Sequence, residues 1–165
     1  MLEPVNLLKI REFIITKHIV IPFAEHGIAV QQLCPHATEV VRRLQEEGYE
    51  AYIVGGSVRD LLMGKVPKDY DVATDAIPEE VKTVFSRARL IGRRFRLAHV
   101  RMGGTLIEVA TFRGPQLNDD DDHTHENGRI LRDNVWGSLE EDAIRRDFTI
   151  NALFMDPVSG DIQDF

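Results

Sequence analysis

Apolar residues recur at helical spacing after Pro35, where Ala37, Val40, Val41 and Leu44 precede Gly48. That spacing puts them on one face, and proline first with glycine last is the usual punctuation of a helix. Residues 49–54 then read as a short buried strand, and Gly55-Gly56 as a turn. Residues 58–63 have helical character and stop at Gly64, and residues 69–74 form a second strand. A helix is expected over 78–85, with Pro78 at its start and Glu79 and Glu80 where the helix dipole favours negative charge. Two further strands, 97–102 and 106–112, are joined through Gly103-Gly104. Later, Ser138 and Glu141 stand at capping-box spacing and start a helix that runs towards Arg145.

Residues 1–35 show no such period and are punctuated by Pro4, Pro22 and Pro35, so they read as an N-terminal arm ahead of one domain over 36–165. The alternation of elements predicts an α/β (mixed α+β) fold, a small mixed or antiparallel sheet with helices packed against it.

Composition narrows this picture. At 165 residues and 43% hydrophobic content the chain can bury one core. A net charge of −7 argues against a protein that coats nucleic acid generally, and leaves room for a local basic patch. Such a patch exists: from Arg87 through Arg89, Arg93, Arg94 and Arg96 to Arg101 there is no acidic residue. Arg93, Arg94 and Arg96 are its candidate RNA contacts. One cysteine, Cys34, excludes an intramolecular disulfide and a multi-cysteine zinc site, and fits a reducing cytoplasm. No apolar run reaches the length of a membrane span, since Lys17 and His18 interrupt the fairly apolar stretch 13–23. The stretch from Gly114 to Asn134 carries Asp119–Asp122 in a row and predicts a mobile loop. His123 and His125 beside that run have no ordered framework that would make them metal ligands.

Candidate chemistry gathers at Gly55-Gly56-Ser57-Val58-Arg59-Asp60, followed by Asp69-Tyr70-Asp71. On a strand, Asp69 and Asp71 project from one face while Tyr70 and Val72 face a core. Adjacent carboxylates repel each other, and a hard divalent cation such as magnesium resolves that conflict. The glycine pair lets backbone approach a phosphate closely at a helix start, and Arg59 lies within reach of another phosphate oxygen. Glu108 lies on a strand otherwise apolar on both faces, where an unpaired carboxylate is expensive, and a surface-facing strand end is the alternative. Asp147 is either functional or the ion-pair partner of Arg145 or Arg146.

The strings Val54-Gly55-Gly56-Ser57-Val58-Arg59-Asp60-Leu61-Leu62 and Lys68-Asp69-Tyr70-Asp71-Val72-Ala73-Thr74 resemble the signature of polymerase-β-type nucleotidyltransferases. Within these they are similar to the class II branch, which holds the CCA-adding tRNA nucleotidyltransferases and the bacterial poly(A) polymerases. Residues 108–113 resemble the strand that brings a third carboxylate to the metals, and 145–153 the motif that contacts the incoming nucleotide. The resemblance implies a polymerase-β-like head domain and template-independent addition of AMP from ATP to RNA 3′ ends. It further implies two Mg2+ ions held by Asp69, Asp71 and Glu108. Gly55, Gly56 and Arg59 would seat the phosphates, and Arg146, Asp147 and Asn151 would orient the ribose end. Glu108 and Asp147 both stand as the further catalytic carboxylate.

Segments 90–100 and 131–142, with Ile21-Pro22-x-x-Glu25-His26-x-Ile28, resemble the poly(A) polymerase version, which is therefore favoured over the CCA-adding one. The abrupt close at Phe165 predicts that the neck and body domains of a longer parent lie outside the chain. A nucleotide- or RNA-binding fragment without polymerase activity is the alternative from another class.

Overall fold

The structure is a computed structural model that describes residues 18–92, 96–114, 125–126, 129–130 and 136–165. In chain order its elements begin with β1 (Ile19–Ile21), α1 (Phe23–His26), a 3-10 turn (Val30–Gln32), α2 (Pro35–Glu46), β2 (Ala51–Val54) and α3 (Gly56–Leu62). Then come β3 (Asp71–Thr74), α4 (Pro78–Val84), β4 (Arg89–Ile91), β5 (Leu97–Met102) and β6 (Thr105–Thr111). The small pair β7 (His125–Glu126) and β8 (Arg129–Ile130), α5 (Leu139–Ile144), a second 3-10 turn (Thr149–Asn151), β9 (Leu153–Met155) and β10 (Ile162–Asp164) complete the order. Apart from Gly114, β7 and β8, the predicted mobile loop lies outside the described residues. No helix among the described residues is long and apolar enough to cross a membrane.

Eight strands form one mixed sheet in the order β1-β10-β9-β2-β3-β6-β5-β4. Strands β3 and β6 run parallel, and the other neighbours are antiparallel. The sheet is larger than the sequence reading expects. Its extra strands are short pieces: β1 and β9 pair with strands about a hundred or more residues away, whereas β4 pairs with the neighbouring β5 and β10 also with the neighbouring β9. The Ile19-Val20-Ile21 run within the expected arm pairs with β10, so this part of residues 1–35 is an edge strand. Sequence-adjacent pairing was easier to foresee. Gly103 and Gly104 both take left-handed φ values of 53° and 91°, as the two-residue turn joining β5 to β6 requires.

Alternation divides the side chains between two faces. Ile53, Val72, Ala98, Val100, Ile107 and Val109 are buried on one face with Ala37, Val40, Val41 and Leu44 of α2 and Val81 of α4. Helix α2 ends in a paired cap, with Tyr49 N–H donating to the Leu44 carbonyl and Gly48 N–H to that of Gln45, both at 3.0 Å. A smaller core on the other face joins Val54, Ala73, Phe112 and Phe154 to Ala143 of α5. That second face is covered at the β2–β3–β9 side by this cluster, and it carries Asp71 next to it.

Candidate active site

Strand β2 stops at Val54, which pairs with Asp71 on one side and Phe154 on the other. The turn that follows is therefore set between β3 and the lead-in to β9. Gly55 adopts φ 75° and ψ −129°, a conformation that side-chain-bearing residues rarely take. Its N–H donates to the Leu153 carbonyl at 3.0 Å, which ties the turn to β9.

A Cβ on Gly55 would lie 3.6 Å from Arg146 Nη1 and 3.7 Å from the Asn151 carbonyl oxygen, and one on Gly56 would lie 3.4 Å from Arg59 Nη2. The bare glycines thus form a floor on which two guanidinium groups rest. Arg59 Nη1 donates to Asn151 Oδ1 at 2.9 Å, and Arg59 Nε and Nη2 donate to Asp60 Oδ1 at 3.0 and 2.8 Å. Arg146 Nη1 donates to the Asn151 carbonyl at 3.3 Å. Gly55, Gly56, Arg59, Arg146 and Asn151 are all brought together. Helix α3 is only seven residues long. The positive end of so short a helix adds little, so anion attraction here falls to Arg59 and Arg146.

The carboxylates are less tightly gathered. Strand β3 begins at Asp71, so Asp69 sits in the preceding loop and not on the strand as expected. Asp71 is the register partner of Glu108 on β6. Loss of hydration, and then the charges of Glu108 and Asp69, push the Asp71 carboxyl above the usual carboxylate range, while Arg146 offsets part of the rise. The residue as a whole is exposed, so the repulsion between carboxylates carries more weight here than lost hydration.

Glu108 is not buried, contrary to expectation: its side chain is 51% exposed, with Oε1 3.2 Å from His99 Nε2 on β5. Its neighbours Ile107 and Val109 fill the core face, and Glu108 shares the opposite face with exposed Leu106. Among the described residues no three His, Cys, Asp or Glu side chains form a ready metal-binding group. The donor chemistry nonetheless fits a hard cation, because Asp71 experiences an excess of negative charge that a cation would relieve.

Asp147 is exposed beyond the end of α5. It is not the ion-pair partner of Arg145 or Arg146, because both bind Asp142. The sequence reading missed Asp142. This residue is 1% exposed and accepts from Arg145 Nε and Nη2 at 2.9 and 2.5 Å, Arg146 Nη2 at 2.7 Å and the Arg113 backbone N–H at 3.0 Å. Its signal was the i, i+3 and i+4 spacing to the two arginines. Arg146, held there, lies over the Phe154 ring at 5.0 Å, and its buried Nε has no hydrogen-bond partner among the described residues. Of the expected RNA contacts, Arg93 and Arg94 lie outside the described residues, and Arg96 is an exposed side chain paired with Glu79 at 2.5 Å.

The chain as a whole is similar to known proteins. Residues 51–165 match the poly A polymerase head domain. The chain belongs to that family. It is 51% identical over 150 residues to poly(A) polymerase I of Salmonella typhi, covering 88% of this chain and 32% of that protein. It is 46% identical over 121 residues to the CCA-adding enzyme of Geobacillus kaustophilus, covering 73% of this chain and 28% of that protein. The solved Bacillus stearothermophilus CCA-adding enzyme in complex with CTP is similar in fold, with a TM-score of 0.62 and 36% identity, covering 81% of this chain and 31% of that one. The chain spans about a third of the length of the curated relatives it matches.

Proposed function

We propose that this chain is the head domain of a template-independent RNA nucleotidyltransferase that adds AMP from ATP to RNA 3′ ends, with residues 36–165 as the catalytic unit and β1, Ile28 and Leu33 of the preceding segment packed onto it. The observation that carries the reading is the convergence of Gly55, Gly56, Arg59, Arg146 and Asn151 beside Asp71. The stronger likeness to poly(A) polymerase I than to CCA-adding relatives favours ATP over a C-and-A-adding role.

In this reading Arg59 and Arg146 bind the triphosphate, and the side-chain-free floor lets it lie close to the backbone. Asn151, already bonded to Arg59 and Arg146, fixes the ribose end together with Asp147. Asp69, Asp71 and Glu108 would hold Mg2+, two ions in all. Bound there, the metal supplies Lewis-acid polarisation of the phosphate being attacked and activation of the RNA 3′-hydroxyl. Glu108, register partner of Asp71 and now in contact with His99, would join the set if its carboxylate turned towards Asp71. Asp142 keeps Arg146 aimed at the floor. The cytoplasm, where RNA ends are available, is the setting this implies.

RNA primer extension with Mg2+, comparing ATP alone with CTP alone, tests the reading. Long A-tails support it, and C addition restricted to tRNA-like ends overturns the choice of nucleotide. A second reading rests on the chain spanning a third of its relatives: a head that binds nucleotide without extending RNA. ATP binding with no extension under any nucleotide would select it.

A further inference from the structure

The open half of the second sheet face carries a groove of about 520 Å³, lined by Arg87, Arg89, Arg101 and His99 around the apolar side chains of Ile91 and Leu106. No carboxylate lines it. Among the described residues Arg87, Arg89 and Arg101 enter no ion pair, unlike Arg96, which Glu79 neutralises. Ile91 and Leu106 are 43% and 40% exposed. The groove therefore concentrates uncompensated positive charge over an apolar floor, in a chain whose net charge is −7.

Its position follows from strand register. Asp71 on β3 pairs with Glu108 on β6, Glu108 with His99 on β5, and His99 with Arg89 on the edge strand β4. These four residues form one transverse row on one face, and Arg101 lies two residues from His99 on that same face. Three strand spacings separate Asp71 from Arg89, roughly 14 Å at about 4.8 Å each. That distance holds about four stacked nucleotides at roughly 3.4 Å per nucleotide along one strand, and fewer if the strand is stretched.

We propose that this groove holds the single-stranded 3′ end of RNA just upstream of the reacting hydroxyl, with Arg89 and Arg101 contacting phosphates and Ile91 and Leu106 lying under a nucleoside. The direction of the strand rests on the proposed function, which places the terminal hydroxyl at Asp71. A single strand suits the groove because bases free of a duplex can rest on apolar side chains. Duplex RNA is read across about 16 base pairs by shape, far beyond this span.

The test is fluorescence polarisation of a 5′-labelled ten-nucleotide oligo(A) with the full chain in EDTA, where binding is read apart from transfer. The double variant Arg89→Gln/Arg101→Gln should bind at least about tenfold more weakly at 0.1 M salt. Its slope of log affinity against log salt should be shallower by about 1.4, for two phosphate contacts at roughly 0.7 each on a single strand. Lys82→Gln, on α4 at the opposite face, removes one positive charge and should leave both values in place. An unchanged affinity and slope in the double variant overturns the proposal. So does equal or tighter binding of a duplex of the same length, or equally effective competition by an acidic peptide of the same charge. Arginine-dependent RNA binding in a chain that transfers no nucleotide would sink the proposed function and leave the groove standing. Nucleotide transfer with an unchanged KM for long primers in the double variant would do the reverse.

Discussion

Replacing Asp142 with alanine should lower the stability of the chain by about 3 kcal/mol. The carboxylate is 1% exposed and accepts three guanidinium N–H bonds and one backbone N–H. Removing one partner of a buried ion pair typically destabilises by about 3–5 kcal/mol, because the charge left behind has lost its partner. The side chains of Arg145 and Arg146 are 33% and 20% exposed. Both can regain some water, which places the loss near the lower end of the range. At about 2–4 °C per kcal/mol for a chain of this size, the melting temperature should fall by roughly 6–12 °C. Circular dichroism melts measure that shift, with urea unfolding as a check that the slope is unchanged. Asp142→Asn keeps an acceptor for the Arg113 N–H and should lose less. ATP binding should weaken in both variants, since Arg146 no longer has its anchor. An alanine variant melting within about 2 °C of wild type would refute the claim that this carboxylate organises the arginines.

Asp71→Asn should stabilise the chain at neutral pH. The folded-state pKa of Asp71 is raised, so its favourable contribution is fully present below the ordinary carboxylate value of about 3.9 and is lost as pH rises through the raised value. Melts at pH 7.5 should show a gain of about 0.2–1 kcal/mol, typical of relieving like charges on neighbouring strands, and the gain should vanish below about pH 4. Adding MgCl2 should raise the wild-type melting temperature and leave that of Asp71→Asn in place, by the ordinary linkage of binding to stability. Gly55→Ala should destabilise by about 1–3 kcal/mol from backbone strain at φ 75°, as read by urea unfolding. Arg59→Lys removes the fork that spans Asp60 and Asn151, and steady-state kinetics should show KM for ATP about tenfold higher, equivalent to about 1.4 kcal/mol.

What could be read from sequence follows the range of the forces involved. Helix α2 was legible to its ends because its face, proline start and glycine cap are all local signals. The Ser138–Glu141 capping box is likewise local: Glu141 N–H donates to Ser138 Oγ at 3.2 Å and Ser138 N–H to Glu141 Oε2 at 2.8 Å. Strands β1, β4, β9 and β10 were not foreseen as strands. Each is only three residues long; β1, β9 and β10 have partners distant in sequence, while β4 pairs with the neighbouring β5 but is too short to show a period of its own. Glu108 misled because its neighbours are apolar on both sides in sequence, yet the sheet places Leu106 and Glu108 together on an open face. The Gly55-Gly56 turn and Asp69-x-Asp71 were legible as a pair, and the fold explains why: Val54 and Asp71 are register partners. In the basic stretch, charge alone did not separate the arginine neutralised by Glu79 from those lining the groove. Strand register and pairing make that separation.

Single-turnover transfer of AMP from ATP to an RNA 3′ end, comparing wild type with Asp69→Ala and Asp71→Ala, each shown folded by its melt, decides whether these carboxylates carry the chemistry. Wild type should transfer AMP in a Mg2+-dependent reaction stopped by EDTA, and neither variant should transfer above background. Wild-type rates in Asp71→Ala would contradict that role, because the carboxylate at the junction of the glycine floor and the Glu108 strand would then have no part in the chemistry.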